Sequence, residues 1–261
     1  MSTYVISDIH GQYKSFKKML KLISFGKDDT LYLLGDVIDR GDEGIKVLTE
    51  AMKMPNVHLF LGNHELLMLD ALKNIEENKR GDRKDFDDMD LWLDPYNGGE
   101  STFEAYKTLQ PKQKKEILTY LENSIVVKKI KIGRKKYHLS HAYVLPYDFE
   151  DELRYKDVPY KEKWDVVWQS IFELSPNESP TEIFPNKKFT YILGHTFTQR
   201  LDCMDGDGRG VVYYNKNFKG YRIYNIDCGM ALHNKSSQLA CIRLEDEKIF
   251  YVPLYKDIKN L

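Results

Sequence analysis

Within the first 65 residues one pattern occurs three times: a short apolar or β-branched run, a polar loop, then apolar residues at helical spacing. Thr3-Tyr4-Val5-Ile6 ends at Ser7-Asp8, and Phe16, Met19, Leu20 and Ile23 then mark a helix beginning near Tyr13. Residues 30–34 predict a second strand, residues 35–41 a turn, and Ile45, Leu48 and Met52 the next helix. Residues 57–61 predict a third strand that ends at Gly62-Asn63. Three consecutive strand–loop–helix units predict an α/β sheet, whose ligands gather in loops at the C-terminal ends of the strands.

Residues 66–120 are polar, helix-favouring and rich in Lys and Glu, interrupted by Gly98-Gly99 and Pro111. They predict several helices capping one edge, with residues 76–90 the most variable in composition. Residues 124–142 predict a hairpin turning at Gly133, with residues 137–139 in its second strand. A second helical insertion carries Trp164 and Trp168 and leads into a proline-punctuated loop through Pro176, Pro180 and Pro185. Strands resume at residues 189–193, 221–226, 239–244 and 249–252. The expected organisation is one domain over residues 1–261, with helical insertions at about 66–123 and 148–185.

A hydrophobic content of 42% in 261 residues is enough for a sizeable core. Lys and Arg total 39 against 40 for Asp and Glu, a net charge of -1, so no global field recruits nucleic acid or an acidic membrane. Neither is expected as a partner, and any anion site must be built locally. Cys203, Cys228 and Cys241 form no CxxC spacing and no even set, which points to reduced thiols rather than a disulfide framework. Met1 runs into a strand-like segment without a basic leader, and no apolar stretch reaches the ~20 residues of a membrane span. The expected location is cytoplasmic.

Five loops after predicted strands carry metal-binding side chains: Asp8 with His10, Asp36 with Asp39, Asn63 with His64, then His141 and His195. Oxygen and imidazole donors without thiolate suit manganese, iron, zinc or magnesium and disfavour a structural tetrahedral zinc. Two such metals bridged by one carboxylate can lower the pKa of a shared water and clamp phosphoryl oxygens. Gly11, Gly41 and Gly62 stand beside these residues, where a backbone must approach an ion or phosphate closely. His138, three residues before His141 on the same strand, falls on the opposite face and is set aside, as are His58 and His233.

Ser7-Asp8-Ile9-His10-Gly11, Gly35-Asp36-Val37-Ile38-Asp39-Arg40-Gly41 and Gly62-Asn63-His64-Glu65 resemble, in order and spacing, three signature blocks of a known family. That family is the phosphoprotein phosphatase branch of the calcineurin-like metallophosphoesterases. Ser140-His141-Ala142 and Gly194-His195-Thr196 resemble its single-histidine loops. The resemblance implies a β-sandwich of two mixed sheets flanked by helices, with helical insertions. It implies two divalent ions, manganese first, with iron, zinc or magnesium as alternatives. Asp8, His10 and Asp36 would hold the first ion, with Asp36 bridging, and Asn63, His141 and His195 the second. His64, oriented by Asp39, would protonate the leaving alkoxide, and Arg40 would clamp the phosphoryl oxygens. The implied activity is hydrolysis of phosphoserine and phosphothreonine monoesters by direct attack of a metal-bound hydroxide. The alternative is a bis(5'-nucleosyl)-tetraphosphate hydrolase, so the expected partner is a phosphorylated protein or a nucleotide. A metal-free binding module is disfavoured, because buried carboxylates and histidines are costly to keep together unused.

The sequence departs from the family pattern at three places. Ser7 replaces a frequent glycine, and Phe197 follows Gly194-His195-Thr196 where many relatives have proline. Val167-Trp168-Gln169-Ser170 lacks the second phosphate-binding arginine that many members carry after a tryptophan, which leaves Arg154 or Arg200 to substitute. Asp205-Gly206-Asp207-Gly208 is read as a hairpin turn, because Cys203 and Tyr214 stand where a calcium loop needs carboxylates. The lysine-rich segment from Lys128 to Lys136 is read as a solvated face, and Tyr213-Tyr214 and Tyr221-Tyr224 as sheet residues.

Overall fold

The three N-terminal units form as the sequence predicts. In the computed structural model, which describes residues 1–78, 88–173, 184, 186–218 and 220–254, β1 (Thr3–Ile6), β2 (Thr30–Leu33) and β3 (Val57–Leu59) are parallel. α1 (Tyr13–Leu22) and α2 (Gly44–Met52) connect them. Antiparallel additions by β10 (Gln238–Arg243) and β11 (Lys248–Pro253) complete a five-stranded sheet ordered β11-β10-β1-β2-β3.

The second sheet contains β4 (Ile125–Ile132), β5 (Lys135–Ser140), β6 (Glu152–Arg154), β7 (Thr190–Leu193), β8 (Tyr213–Phe218) and β9 (Tyr221–Asn225). Its order is β6-β4-β5-β7-β9-β8, with β5, β7 and β9 parallel at its centre. The fold is therefore α/β, with two mixed sheets flanked by helices.

Packing explains why the parallel strands read as continuous apolar runs. Val5 faces the inter-sheet core with Phe60, Tyr137, Leu139, Ile192 and Ile242. Its neighbours Tyr4 and Ile6 face the opposite way, against Phe16 and Met19 of α1 and Leu48 of α2. A strand covered on both faces has no polar side to alternate with. On β5 the alternation puts Tyr137 and Leu139 between the sheets and His138 outside, 5.1 Å from the Tyr191 ring, as the sequence predicts.

Several boundaries differ from the sequence reading. The long helical region begins earlier, because α3 (Asn63–Asn78) includes Asn63 and His64 in its first turn; α4 (Asp88–Leu93), α5 (Glu100–Lys107) and α6 (Pro111–Leu121) follow. The second insertion is not purely helical. Its first element is β6, an edge strand fixed by pairing with β4 and by a 2.8 Å contact from Lys128 Nζ to Glu152, and only then comes α7 (Tyr160–Trp168). The loop through Pro176, Pro180 and Pro185 lies outside the described residues, as does most of the variable stretch at 76–90. Lys128, Lys129 and Lys135 all contact carboxylates, so much of the basic face is internally neutralised. The Asp205 segment is a turn in which Asp205 Oδ1 accepts the Asp207 and Arg209 N–H groups. No described helix is long and apolar enough to cross a membrane.

The loops after β2 and β3 are held in backbone contact. Gly35 has φ +91°, and a Cβ there would lie 2.5 Å from Gly62 Cα, so glycine is required at this crossing. Glu65, fully buried in the first turn of α3, fixes both loops. Its Oε2 accepts the Asp36 and Gly62 N–H groups at 2.7 and 3.0 Å, and its Oε1 accepts the Val37 N–H at 2.9 Å. Glu65→Gln preserves size but turns an amide NH2 toward a backbone N–H. It is expected to cost about 1–3 kcal/mol, seen as a lower urea midpoint at constant m-value. An unchanged midpoint would show that this carboxylate does not hold the loops.

Candidate active site

All five donor loops meet at the C-terminal ends of parallel strands from both sheets. β1 leads to Asp8 and His10, β2 to Asp36, Asp39 and Arg40, β3 to Asn63 and His64, β5 to His141, and β7 to His195. Each turn is sharp. Ten described non-glycine residues have positive φ, and six are candidate site residues: Asp8 (52°), His10 (45°), Asp36 (53°), Asp39 (63°), Arg40 (65°) and His195 (69°). Backbone strain of this kind persists only where surrounding structure enforces it, and it gathers at functional sites.

Asp36 is at the centre. Its Oδ2 lies 3.7 Å from His10 Nε2, 3.9 Å from His64 Nε2 and 3.4 Å from His141 Nε2, and all four side chains are buried. Two groups of donor atoms therefore share Asp36: one with His10 and His64, the other with His141 and His195. Asn63 Oδ1 joins the second group, 3.1 Å from His141 Nε2 and 3.0 Å from His195 Nδ1. Asp8 joins the first: its Oδ1 is 4.0 Å from His10 Nε2, while its Oδ2 accepts the Ser7 hydroxyl and the His195 N–H. The structure thus brings Asp8, His10, Asp36, Asn63, His141 and His195 together.

Neighbouring groups orient these donors. His141 Nδ1 is 2.6 Å from the Leu34 carbonyl, which can only accept, so Nδ1 carries the proton and Nε2 faces Asp36. His64 Nδ1 contacts Asp39 Oδ2 at 2.8 Å, and the same oxygen accepts the Trp92 indole N–H at 2.8 Å. The Asp39 backbone N–H in turn donates to Thr102 Oγ1. Arg40 enters with its backbone N–H on the Gly98 carbonyl at 2.9 Å.

Burial and mutual charge shift Asp8, His10, Asp36, His141 and His195 from their ordinary values. Burial pushes the Asp8 carboxyl up to about 7, with His141 opposing and Asp36 reinforcing. Burial pushes Asp36 upward too, but His141 and His64 overcome it and hold this carboxyl well below its usual range. Burial would lower His141, yet Asp36 raises it to about 10. Burial and then His64 drive His10 well below its usual value, and burial and then His141 take His195 to about 3. His10 Nδ1 and His64 Nε2 are buried without a hydrogen-bond partner. The neutral imidazoles of His10 and His195, the shared Asp36 carboxylate and the unpartnered ring nitrogens are donors of the kind that divalent cations take.

Several positioning residues had weak local signals in the sequence. Glu65 is visible there only as the last residue of a block, and its three N–H partners emerge from the fold. Trp92 lies 53 residues from Asp39 in the chain, within a helical region without motif character. Asn225, at the end of β9, and Asp227 just after it secure the β7 loop: Asn225 Nδ2 donates to the Thr196 carbonyl, and the Thr198 N–H donates to the Asp227 carbonyl. Of the two arginines proposed to substitute, Arg200 lines the cleft over the cluster. Arg154 sits on the edge strand β6, bonded to the Asn123 carbonyl and Glu152.

Comparison with known proteins agrees with this geometry. A symmetrical bis(5'-nucleosyl)-tetraphosphatase from Wigglesworthia glossinidia brevipalpis is 44% identical over 85 residues, 32% of this chain and 31% of that protein. One of the same name from Erwinia tasmaniensis is 38% identical over 102 residues, 36% of this chain and 37% of that protein. The chain therefore matches only about a third of the length of these relatives. A solved structure provisionally described as a diadenosine tetraphosphatase superposes with a TM-score of 0.60 at 16% identity, covering 97% of this chain and 94% of its own. A protein serine/threonine phosphatase from Saccharomyces cerevisiae gives 0.54 at 15% identity, covering 99% and 82%. Residues 1–213 match the calcineurin-like phosphoesterase family over most of the chain, and the protein belongs to that family.

Proposed function

We propose that this phosphoesterase hydrolyses dinucleoside polyphosphates, with bis(5'-nucleosyl) tetraphosphate as the leading substrate. The observation that carries this reading is the name shared by the curated relatives with the strongest sequence matches given above. The cleft supports it. Its volume of about 810 Å³ extends from His10, Asp36 and His64 to an outer wall with Phe197 and the 71%-exposed Tyr96. A lone phosphate fills little of that space, whereas the exposed Tyr96 ring offers a face on which a nucleobase can stack. The phosphoserine and phosphothreonine reading rests on the same blocks and gains nothing from these relatives. The yeast phosphatase, at 15% identity, speaks only for the fold.

In this reading Asp8, His10 and Asp36 would hold one divalent cation, and Asn63, His141 and His195, with Asp36 close by, would hold a second. When bound, the cations lower the pKa of a water and neutralise phosphoryl charge. Arg40 supplies a planar pair of N–H donors to the phosphoryl oxygens. Water adds to phosphorus, the phosphorus–oxygen bond to the leaving group breaks, and the leaving oxygen keeps the electron pair. His64 delivers the proton to that oxygen from Nε2, because Nδ1 is occupied by Asp39. Trp92 and Thr102 hold Asp39 in place.

The decisive comparison uses manganese-loaded protein, with initial rates on diadenosine tetraphosphate and on a phosphoserine/phosphothreonine peptide, and Asp36→Asn as blank. Faster turnover of the dinucleotide is expected, and faster variant-sensitive peptide turnover would return the assignment to a protein phosphatase. Asp36→Asn should lose both metal content and activity; retention of both would remove Asp36 from the ligand set. His64→Ala tests the acid. It should slow an alkyl phosphate monoester about 10²-fold or more, and slow p-nitrophenyl phosphate and the dinucleotide much less, because their leaving groups need little protonation. Equal losses on all three would count against the proton-transfer role.

A further inference from the structure

The cleft contains a second guanidinium that the chemistry at the cluster does not use. Arg200 follows the β7 loop on a short 3-10 turn, Thr198–Leu201, and lines the cleft together with Arg40. Its backbone is fixed. The Arg200 N–H donates to the Phe197 carbonyl at 2.9 Å, and the Cys203 N–H to the Thr198 carbonyl at 3.0 Å. Gln199 points inward and anchors the turn, its Nε2 donating to the Cys228 and Ser236 carbonyls at 3.1 and 2.9 Å. Glycines make room for it: a Cβ on Gly210 or Gly229 would come within 2.5 or 2.6 Å of the Gln199 side chain. With Gln199 turned in, Arg200 is presented outward.

The side chain itself is loosely held. The guanidinium lies over the Phe197 ring, 4.5 Å from its centroid, and among the described residues its one ion pair is a 3.5 Å contact from Nη1 to Glu173. Both partners are more than half exposed, at 51% and 63%. A single long contact between exposed charges is weak and easily exchanged. The aromatic face meanwhile keeps the guanidinium plane oriented, leaving its edge donors for a planar array of anionic oxygens.

Arg40 and Arg200 enter the cleft from different walls, one on the loop after β2 and the other on the turn after β7. A lone phosphate monoester needs the cluster and Arg40. A chain of phosphates carries further charge outward, where the cluster does not reach. Resting on the phosphoesterase reading above, we propose that Arg200, held on Phe197, is the outer phosphate contact that selects phosphate chains over single phosphates. Glu173 holds the guanidinium until the anion displaces it.

The test is competitive inhibition of p-nitrophenyl phosphate hydrolysis by orthophosphate and by inorganic tripolyphosphate, at constant free manganese. Arg200→Ala should raise the inhibition constant of tripolyphosphate about tenfold more than that of orthophosphate, with part of the difference restored by Arg200→Lys. Arg154→Ala, which removes an arginine outside the cleft, should leave both constants unchanged and serves as the control. Parallel changes in the two constants, or none, would overturn the outer contact. Diadenosine tetraphosphate turnover separates this result from the substrate assignment. If the dinucleotide is not hydrolysed but tripolyphosphate discrimination depends on Arg200, the contact stands and the dinucleotide reading falls. If it is hydrolysed with the same KM by Arg200→Ala, the reading stands and the contact falls.

Discussion

The buried carboxylate of Asp36 is the constraint around which this molecule is arranged. It faces the ring nitrogens of His10, His64 and His141 within 3.9 Å and is 2% exposed. Gathering such groups away from water opposes folding unless they are paired or bind cations. The fold therefore has to supply rigidity from outside the cluster. Glu65 does so for the loops that present Asp36 and Asn63, and the Leu34 carbonyl for His141. Asn225 and Asp227 do so for the loop of His195. The positive φ angles of six cluster residues show that these loops are held against their local preference, with the two packed sheets as the restraint.

That arrangement also explains how much could be read before the fold was known. The β1–α1–β2–α2–β3 order was legible because strands buried on both faces leave unbroken apolar runs, and because the polar residues that interrupt them are the donors. Strand alternation alone places His138 on the face of β5 opposite Tyr137 and Leu139, where the structure has it. β6 was not legible: Glu152, Leu153 and Arg154 form no apolar pattern, and the strand exists only because β4 offers it an edge. The start of α3 was misplaced for a related reason. Asn63 and His64 carry the polarity of a loop, yet they occupy the first helical turn, where their side chains can turn toward the cluster while the backbone N–H groups point the same way.

The candidate ligands were visible as a set because five loops repeat one chemistry, whereas the residues that orient them have no shared local signature. Trp92 is the plainest case. Its indole N–H bonds to Asp39 and its ring packs edge-on to Phe103 at 5.7 Å. It therefore acts as core and as the outer support of the His64–Asp39 pair at once. A tryptophan in a helical segment signals the first role only.

Substrate choice, by contrast, has to reside outside the cluster, since one deep arrangement of donors serves any phosphoryl group and a fold of this kind hosts many substrates. The segment after α7 shapes the wall of the cleft beside the cluster. Where an arginine is missing, Ser170 Oγ lies 2.8 Å from Thr196 Oγ1 and Trp168 packs edge-on to His195 at 6.3 Å. Neutral contacts there brace the β7 loop without adding charge beside the cluster. Arg200, more than half exposed, lines the same cleft. Moving positive charge from the bottom of a cleft to its rim weakens the hold on a single phosphate and strengthens it on an extended polyanion, because the attraction falls with distance and only a long ligand reaches both positions.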